Sequence, residues 1–388
     1  MVLWPAFWVA LALGALVRNR LSTEARYGVF GAVSFLFLLA AQPAATVAVA
    51  IWATIAWMLP GKKARVGWRR PILRLVVIGL LVQLFAWKYL PILTGAAEEL
   101  QGHRNPVVPL GASYVTFKLI HAAIEISRDG FKVRTPLSFF AWVFLLPTFS
   151  AGPIERYDSF RAGAVAPTTG DDIAAGLLRI AVGLVKKFVI VEIVLATLLT
   201  SFAPDTFVAN VGRVRVPTAW YVIALWFLNG YLDFSAYSDI AVGASRLLGF
   251  RIMENFDWPI LATNMGEFWK RWHMSLAAFC QTYVYLPTIG LTRRPTVSVY
   301  TTFVAMGMWH SLSLNWVMWG LWHATGVVGY LAFARRTRKT RGFDHPLVRL
   351  GGWAGTMGWV LIGTAWAVPS SLGGSVRILM RLVGLTPD

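Results

Sequence analysis

Apolar residues run along this chain in long, nearly unbroken stretches separated by short polar turns. A bilayer core of about 30 Å takes roughly 20 apolar residues in a helix, because each residue advances the axis by only about 1.5 Å. The first stretch, 4–17, is short. The run from Tyr27 to Leu59 holds two short helices with Gln42-Pro43 as their turn. Further stretches follow at 72–94, 136–150, 173–203, 218–250, 296–334 and 353–368, several of them long enough for a pair or a kinked helix. The pattern predicts an all-α polytopic membrane protein with about ten transmembrane or re-entrant helices. No repeat, low-complexity tract or long linker divides the series, so residues 1–388 are expected to form a single membrane domain. The first apolar stretch has no basic region before it and further spans follow at once, so a cleaved signal peptide is not expected.

Composition sharpens this picture. Of 388 residues 57% are hydrophobic and 14% charged, against about 25% charged in a soluble domain. The 19 Trp suit a membrane interface, where an indole satisfies both its apolar ring and its N–H. A net charge of +18 raises the question of nucleic acid, but the charges sit in short loops between apolar runs rather than in one contiguous footprint, and no nucleic-acid partner is expected. Their distribution sets an orientation instead. Lys62, Lys63, Arg65, Arg69, Arg70 and Arg74 crowd loop 60–74, and Arg335, Arg336, Arg338, Lys339, Arg341 and Arg349 crowd loop 335–349 against Asp344 alone. Both loops are expected in the cytoplasm, with 18–26 and its Arg18, Arg20 and Arg26, while Glu98 and Glu99 mark an outer loop. The single cysteine, Cys280, excludes an internal disulfide, a Cys-rich metal site and a CxxC redox pair.

Function has to come from polar groups that a bilayer rejects, since an ionisable group at a helix centre costs about 2.5–3.5 kcal/mol on insertion scales. Three segments carry them: Asn229 to Asp239 with Asp233 and Asp239, Glu267 to Leu276 with His273, and Met308 to Trp316 with His310, continued by Trp319 to His323. Thr292-Arg293-Arg294-Pro295 is a polar, helix-breaking turn between the two histidine segments. His273 and His310 lie at nearly equal sequence distance from it, so an antiparallel hairpin brings both imidazoles to nearly the same depth. A neutral imidazole there is able to take a proton from a hydroxyl attacking an activated acyl group, with no serine nucleophile. Asp233 and Asp239 are six residues apart and diverge by about 120° on a helix. Each is expected to cap a helix break or to pair with a cation such as Arg246 or Lys270. Structural roles are expected for His323, His121 and His103, and solvation for His345. Trp309, Trp316, Trp319 and Trp322 are expected to pack helices or line a tunnel.

Four stretches in order across roughly 110–325 resemble the membrane-bound O-acyltransferase (MBOAT) superfamily, in its bacterial branch of alginate acetylases and teichoic-acid D-alanyl transferases. They are Pro109 to Lys118, Pro147 to Tyr157, Phe234 to Phe256 ending in Glu254-Asn255-Phe256, and Phe268 to Leu276, with Met308-Trp309-His310 following. The family core is placed at 109–325. The resemblance implies a ring of helices around a thin core with a central tunnel. It implies His310 as the catalytic base and His273 as its upstream partner. The neighbours Trp309, Asn315, Trp272 and Ser275 are candidate substrate-binding residues. The donor it implies is a cytoplasmic thioester, either coenzyme A or the phosphopantetheine arm of an acyl carrier protein, with no tightly bound cofactor and no metal. The acceptor is a hydroxyl of an extracytoplasmic glycan, cell-wall polymer or secreted small molecule. The implied location is the bacterial cytoplasmic (inner) membrane. Gln281-Thr282 replaces the Arg-Asp common in this branch, and Ser311 and Ala324 follow His310 and His323. The rival reading is a polytopic transporter or export partner without covalent chemistry, for which no inverted repeat is found.

Overall fold

A computed structural model describes residues 4–61, 67–93, 109–131, 135–164, 167–337 and 345–386. Glu98, Glu99, His103 and most of the two densest basic loops (Lys62, Lys63, Arg65, Arg338, Lys339, Arg341 and Asp344) lie outside the described residues. Among those described there is no β-strand, and a single bridge joins Ala164 to Phe250. Among the described residues three helices are both long and apolar enough to cross a bilayer: Thr23–Ala41, Arg69–Lys88 and Leu314–Thr337. Close contacts group the chain into two units, Met1–Gly183 with Tyr237–Glu254, and Leu184–Ala236 with Asn255–Asp388.

The first unit begins with α1 (Pro5–Val17), α2 (Thr23–Ala41), α3 (Pro43–Met58) and α4 (Arg69–Lys88). Gln42-Pro43 separates α2 from α3 as the pattern predicts, with proline opening α3 where its missing N–H costs nothing. Ser22 caps α2 by accepting from the Ala25 N–H. α5 (Ala112–Arg128) and α6 (Pro136–Phe144) follow. Gly31 of α2 seats against the backbone of Ala141 in α6, so the two helices cross at small residues. Of the arginines at 18–26, Arg26 lies on the inward face of α2, buried, and donates to the Gly249 carbonyl.

α5 is absent from the predicted spans because Lys118, His121 and Glu125 interrupt its apolar run. The structure turns that interruption inward. Lys118 is buried, and its ammonium donates to the Trp142 carbonyl at 3.1 Å and the Thr148 hydroxyl at 3.0 Å. His121 accepts the Tyr157 N–H at 3.4 Å. The Trp142 indole donates to the Glu155 carbonyl, and the Glu155 carboxylate accepts the Met253 N–H at 2.6 Å. These bonds fasten the irregular stretch between α6 and Tyr157, whose free backbone groups would otherwise be costly in an apolar interior. They give the Pro109–Lys118 and Pro147–Tyr157 stretches a shared structural purpose.

α7 (Gly170–Leu184) starts with Asp172, which accepts from Arg246 at 3.0 Å and Arg251 at 2.8 Å and from the Thr169 N–H and hydroxyl. Arg179 of α7 bridges Asp239 at 2.8 Å and Glu254 at 2.6 Å. Asp239 is therefore paired, but with Arg179 instead of the anticipated Arg246 or Lys270, because Arg246 is held by Asp172. α8 (Val216–Leu247) carries Asp239 in its last part.

In the second unit a π-helical stretch, Val185–Leu195, continues from α7. Its Lys187 pairs with Asp233 of α8 at 2.7 Å and with Glu192 at 3.4 Å, so Asp233 also takes a partner the sequence did not name. There follow α9 (Met265–Arg271), α10 (Met274–Cys280), α11 (Pro295–His310), α12 (Leu314–Thr337), α13 (Pro346–Ala367) and α14 (Leu372–Leu382). The helical arm after α10 runs through a π turn at Gln281–Tyr285 and ends at Thr292. Arg293, at φ 56°, stops it in the left-handed region, and Pro295 opens α11. The break thus falls where the sequence placed it.

Removing one partner of a buried ion pair costs about 3–5 kcal/mol. Arg246 and Arg251 reach solvent and rehydrate, so Asp172→Ala is expected to cost about 2–3 kcal/mol on that scale. Thermal unfolding of the detergent-solubilised chain measures it, with Arg251→Gln expected to lower Tm by less.

Candidate active site

His273 stands between α9 and α10 in left-handed backbone, φ 43° and ψ 55°. A non-glycine residue is held there only when its surroundings over-determine it, at a cost of order 1–3 kcal/mol. Asn255, fully buried, does so from the Glu254-Asn255-Phe256 stretch. Its carbonyl accepts the Met274 N–H at 2.9 Å, and its Oδ1 accepts the Ser275 hydroxyl at 2.9 Å and the Ser275 N–H at 3.3 Å. α9 is fixed from the other side, where Asn264 accepts the Glu267 N–H and Glu267 reaches back to the Thr263 N–H, each at 2.8 Å. The imidazole that results is buried, edge-on to Phe234 at 4.6 Å and nearly parallel to Phe256 at 6.5 Å.

His310 is the last residue of α11, where the chain turns extended at Ser311 before α12. Its ring stacks on Trp316 at 4.4 Å and 18°, with Trp319 edge-on at 5.6 Å. Trp309 touches both histidines, 4.5 Å from the His310 ring and 6.1 Å from the His273 ring. The two imidazoles thus flank one indole.

Two glycines set this closeness. A Cβ on Gly307 would collide with the Trp316 carbonyl, and one on Gly320 would meet the Phe303 carbonyl at 2.5 Å. α11 and α12 consequently pack backbone to backbone, as small residues permit in membranes. At the end of α11, His310 accordingly comes against Trp316 and Trp319. Sequence reasoning assigned no role to Asn255, Phe256, Phe234, Gly307 or Gly320. The first three lie inside a recognised stretch. The glycines carried no local signal, since their demand comes from the partner helix.

The other candidates are held internally. Trp272 stacks on Phe268 at 5.5 Å and Phe227 at 5.6 Å, and Ser275 is committed to Asn255. Asn315 is buried and its amide donates to the Pro369 carbonyl and the Ser375 hydroxyl, each at 3.0 Å, tying α12 to α14. His323 is buried between Trp269 at 5.1 Å and Trp319 at 4.7 Å. Trp322 leaves the cluster and stacks on Trp359 at 4.0 Å. His345 is exposed, and it also caps α13 by accepting the Leu347 N–H at 3.3 Å. Gln281-Thr282 opens the π turn after α10, a backbone irregularity that recurs at functional sites.

Asn255→Ala removes two side-chain hydrogen bonds from a buried turn and is expected to cost about 1–3 kcal/mol, measured as a fall in Tm. Gly307→Ala forces α11 away from α12. It is expected to leave membrane insertion intact and to quench tryptophan packing at the pair, read as a change in near-UV circular dichroism.

The profile of the membrane-bound O-acyltransferase (MBOAT) family matches residues 112–362. A probable alginate O-acetylase of Pseudomonas fluorescens is 32% identical over 269 residues, 66% of this chain and 51% of its own length. A teichoic acid D-alanyltransferase of Bacillus subtilis is 30% identical over 286 residues, 68% of this chain and 69% of its own length. A peptidoglycan O-acetyltransferase of Helicobacter pylori is 27% identical over 270 residues, 65% of this chain and 49% of its own length. The chain thus spans about half the length of the alginate O-acetylases it matches. With the profile covering well over half of its residues, both histidine segments included, this chain belongs to the membrane-bound O-acyltransferase family.

Proposed function

We propose that the chain is an O-acyltransferase that moves an acyl group of acetyl or D-alanyl type from a cytoplasmic thioester to a hydroxyl on the outer side of a bacterial cytoplasmic membrane, within a ring of helices pierced by a tunnel. The observation that carries this reading is the convergence of His273 and His310 on Trp309 inside an aromatic enclosure. His310 takes the proton of the acceptor hydroxyl as its oxygen bonds to the acyl carbonyl carbon. The carbon–sulfur bond then breaks, and the departing thiolate takes that proton from the imidazolium and leaves as the thiol. His273 orients the donor or polarises its carbonyl. Two features of the enclosure favour the imidazolium that forms in between. The face of Trp316 lies 4.4 Å from the His310 ring, an arrangement that attracts a cation, and the C-terminal end of α11, where His310 sits, carries the partial negative charge of the helix dipole.

The donor is a coenzyme A thioester or a loaded acyl carrier protein, and the basic residues at the membrane face supply attraction for the latter's acidic surface. The names of the relatives support a polymeric acceptor: alginate, teichoic acid or peptidoglycan. A transporter reading rests on intramembrane carboxylates, and here Asp233 and Asp239 are each matched by a cation, Lys187 and Arg179.

The test is label transfer by the purified chain in nanodiscs, offered radiolabelled coenzyme A thioesters and a loaded carrier protein. His310→Ala is expected to lower the rate by about 10²–10⁴, the usual contribution of a positioned base, with Tm unchanged. Equal transfer by folded His310→Ala would remove the base assignment. Unmodified label accumulating inside sealed proteoliposomes that carry the chain would favour transport.

A further inference from the structure

Away from the histidine pair, α12 and α13 part to leave a groove of about 910 Å³, lined by Gly329, Tyr330 and Phe333 of α12, by Arg349, Gly351 and Gly355 of α13, and by residues 263–265 at the start of α9. Its floor is a tightly closed junction. Trp322 and Trp359 stack at 4.0 Å, and each indole donates to the other's carbonyl, at 2.9 and 3.3 Å. Beyond that junction the helices diverge toward Thr337 and Arg349.

Glycines on membrane helices ordinarily let backbones touch. Gly326 and Gly352 do so here, since a Cβ on them would strike the Trp359 indole and the Thr263 carbonyl. Gly329, Gly351 and Gly355 do not: a Cβ on any of them would meet nothing within 4 Å. These three keep a trough open where helix packing asks for none.

Dimensions and charge specify what fills it. From Arg349 to Trp359 is ten residues of helix, about 15 Å at 1.5 Å per residue, which is half of a bilayer core of about 30 Å. The groove is thus one leaflet deep. Phe333 and Val348 on its two walls are exposed and apolar, and α12 is itself one of the helices apolar enough to span. Its mouth is cationic. Arg349 lines it, exposed and without an ion pair among the described residues, and Arg335 and Arg336 close the last turn of α12 beside it. The nearby Glu267 carboxylate is bridged by Arg271 at 2.6 Å and also feels the charge of Arg349. By the positive-inside rule this mouth is at the cytoplasmic leaflet, where anionic lipids meet basic residues.

We propose that the α12–α13 groove seats one anionic phospholipid of that leaflet, its phosphate at Arg349 and an acyl chain along Gly351 and Gly355 down to the Trp322–Trp359 junction. The site is separate from the histidine pair and does not depend on the acyl-transfer reading.

Native mass spectrometry of the full, delipidated chain tests it, with phosphatidylglycerol and phosphatidylcholine of identical acyl chains as probes. One phosphatidylglycerol per chain is expected to survive activation that strips phosphatidylcholine. Arg349→Gln is expected to weaken retention about fivefold, to the phosphatidylcholine level, as one basic contact at a membrane surface predicts. Gly355→Leu fills the trough without a backbone clash and is expected to abolish retention of both lipids, with Gly329→Leu as a second filling variant and Tm verifying that each is folded. Phosphatidylglycerol is expected to raise the Tm of wild type, and inorganic phosphate alone is not. Equal retention of the two lipids, undiminished phosphatidylglycerol on folded Gly355→Leu or Gly329→Leu, or a phosphate-only Tm rise of the same size would each overturn the proposal.

Discussion

The approach of α11 to α12 governs everything at the histidine pair. With no side chain at Gly307 or Gly320, each helix lies against a carbonyl of the other. Only at that separation does the His310 ring at the end of α11 lie flat on Trp316 in the first turn of α12. Side chains larger than hydrogen at those two positions would separate rings whose contacts define the enclosure. A lipid environment offers no hydrophobic drive for such packing, so close contact between backbones and ring surfaces has to supply it.

A second constraint concerns His273. Its left-handed backbone is unfavourable in itself, and three hydrogen bonds to the buried Asn255 hold it in place. The same turn tips Trp272 into a stack with Phe268 and Phe227 on one side while the imidazole meets Phe234 on the other. Each histidine thus sits at a helix end, where the backbone can redirect a side chain, and each is steadied by aromatic faces that tolerate both the neutral and the charged ring.

Much of this was legible in the sequence because hydrophobic runs and helix breakers act locally. The Gln42-Pro43 turn, the break before Pro295 and the approach of His273 and His310 to the one indole of Trp309 all follow from spacing along the chain. What stayed hidden depends on partners far away in sequence. α5 reads as too polar to span, yet its Lys118 and His121 are satisfied by Trp142, Thr148 and Tyr157. Asp233 and Asp239 were recognisable as needing cations, but a helical projection favours near neighbours over Lys187 and Arg179, 46 and 60 positions away. Asn315 reads as a polar group beside the base, and it spends its amide on α14 instead. The open trough beside Gly329, Gly351 and Gly355 has no sequence signature, since the same glycines would equally serve tight packing.

The most direct measurement is a cryo-EM structure of the chain with a non-cleavable analogue of its thioester donor, the sulfur replaced by methylene. The account predicts the analogue's carbonyl carbon inside the aromatic enclosure, within about 4 Å of the His310 ring, as an attacking hydroxyl in hydrogen-bond reach of the base requires. An analogue bound with its carbonyl elsewhere, while His310 and His273 keep their stacks on Trp316 and Phe234, would contradict it.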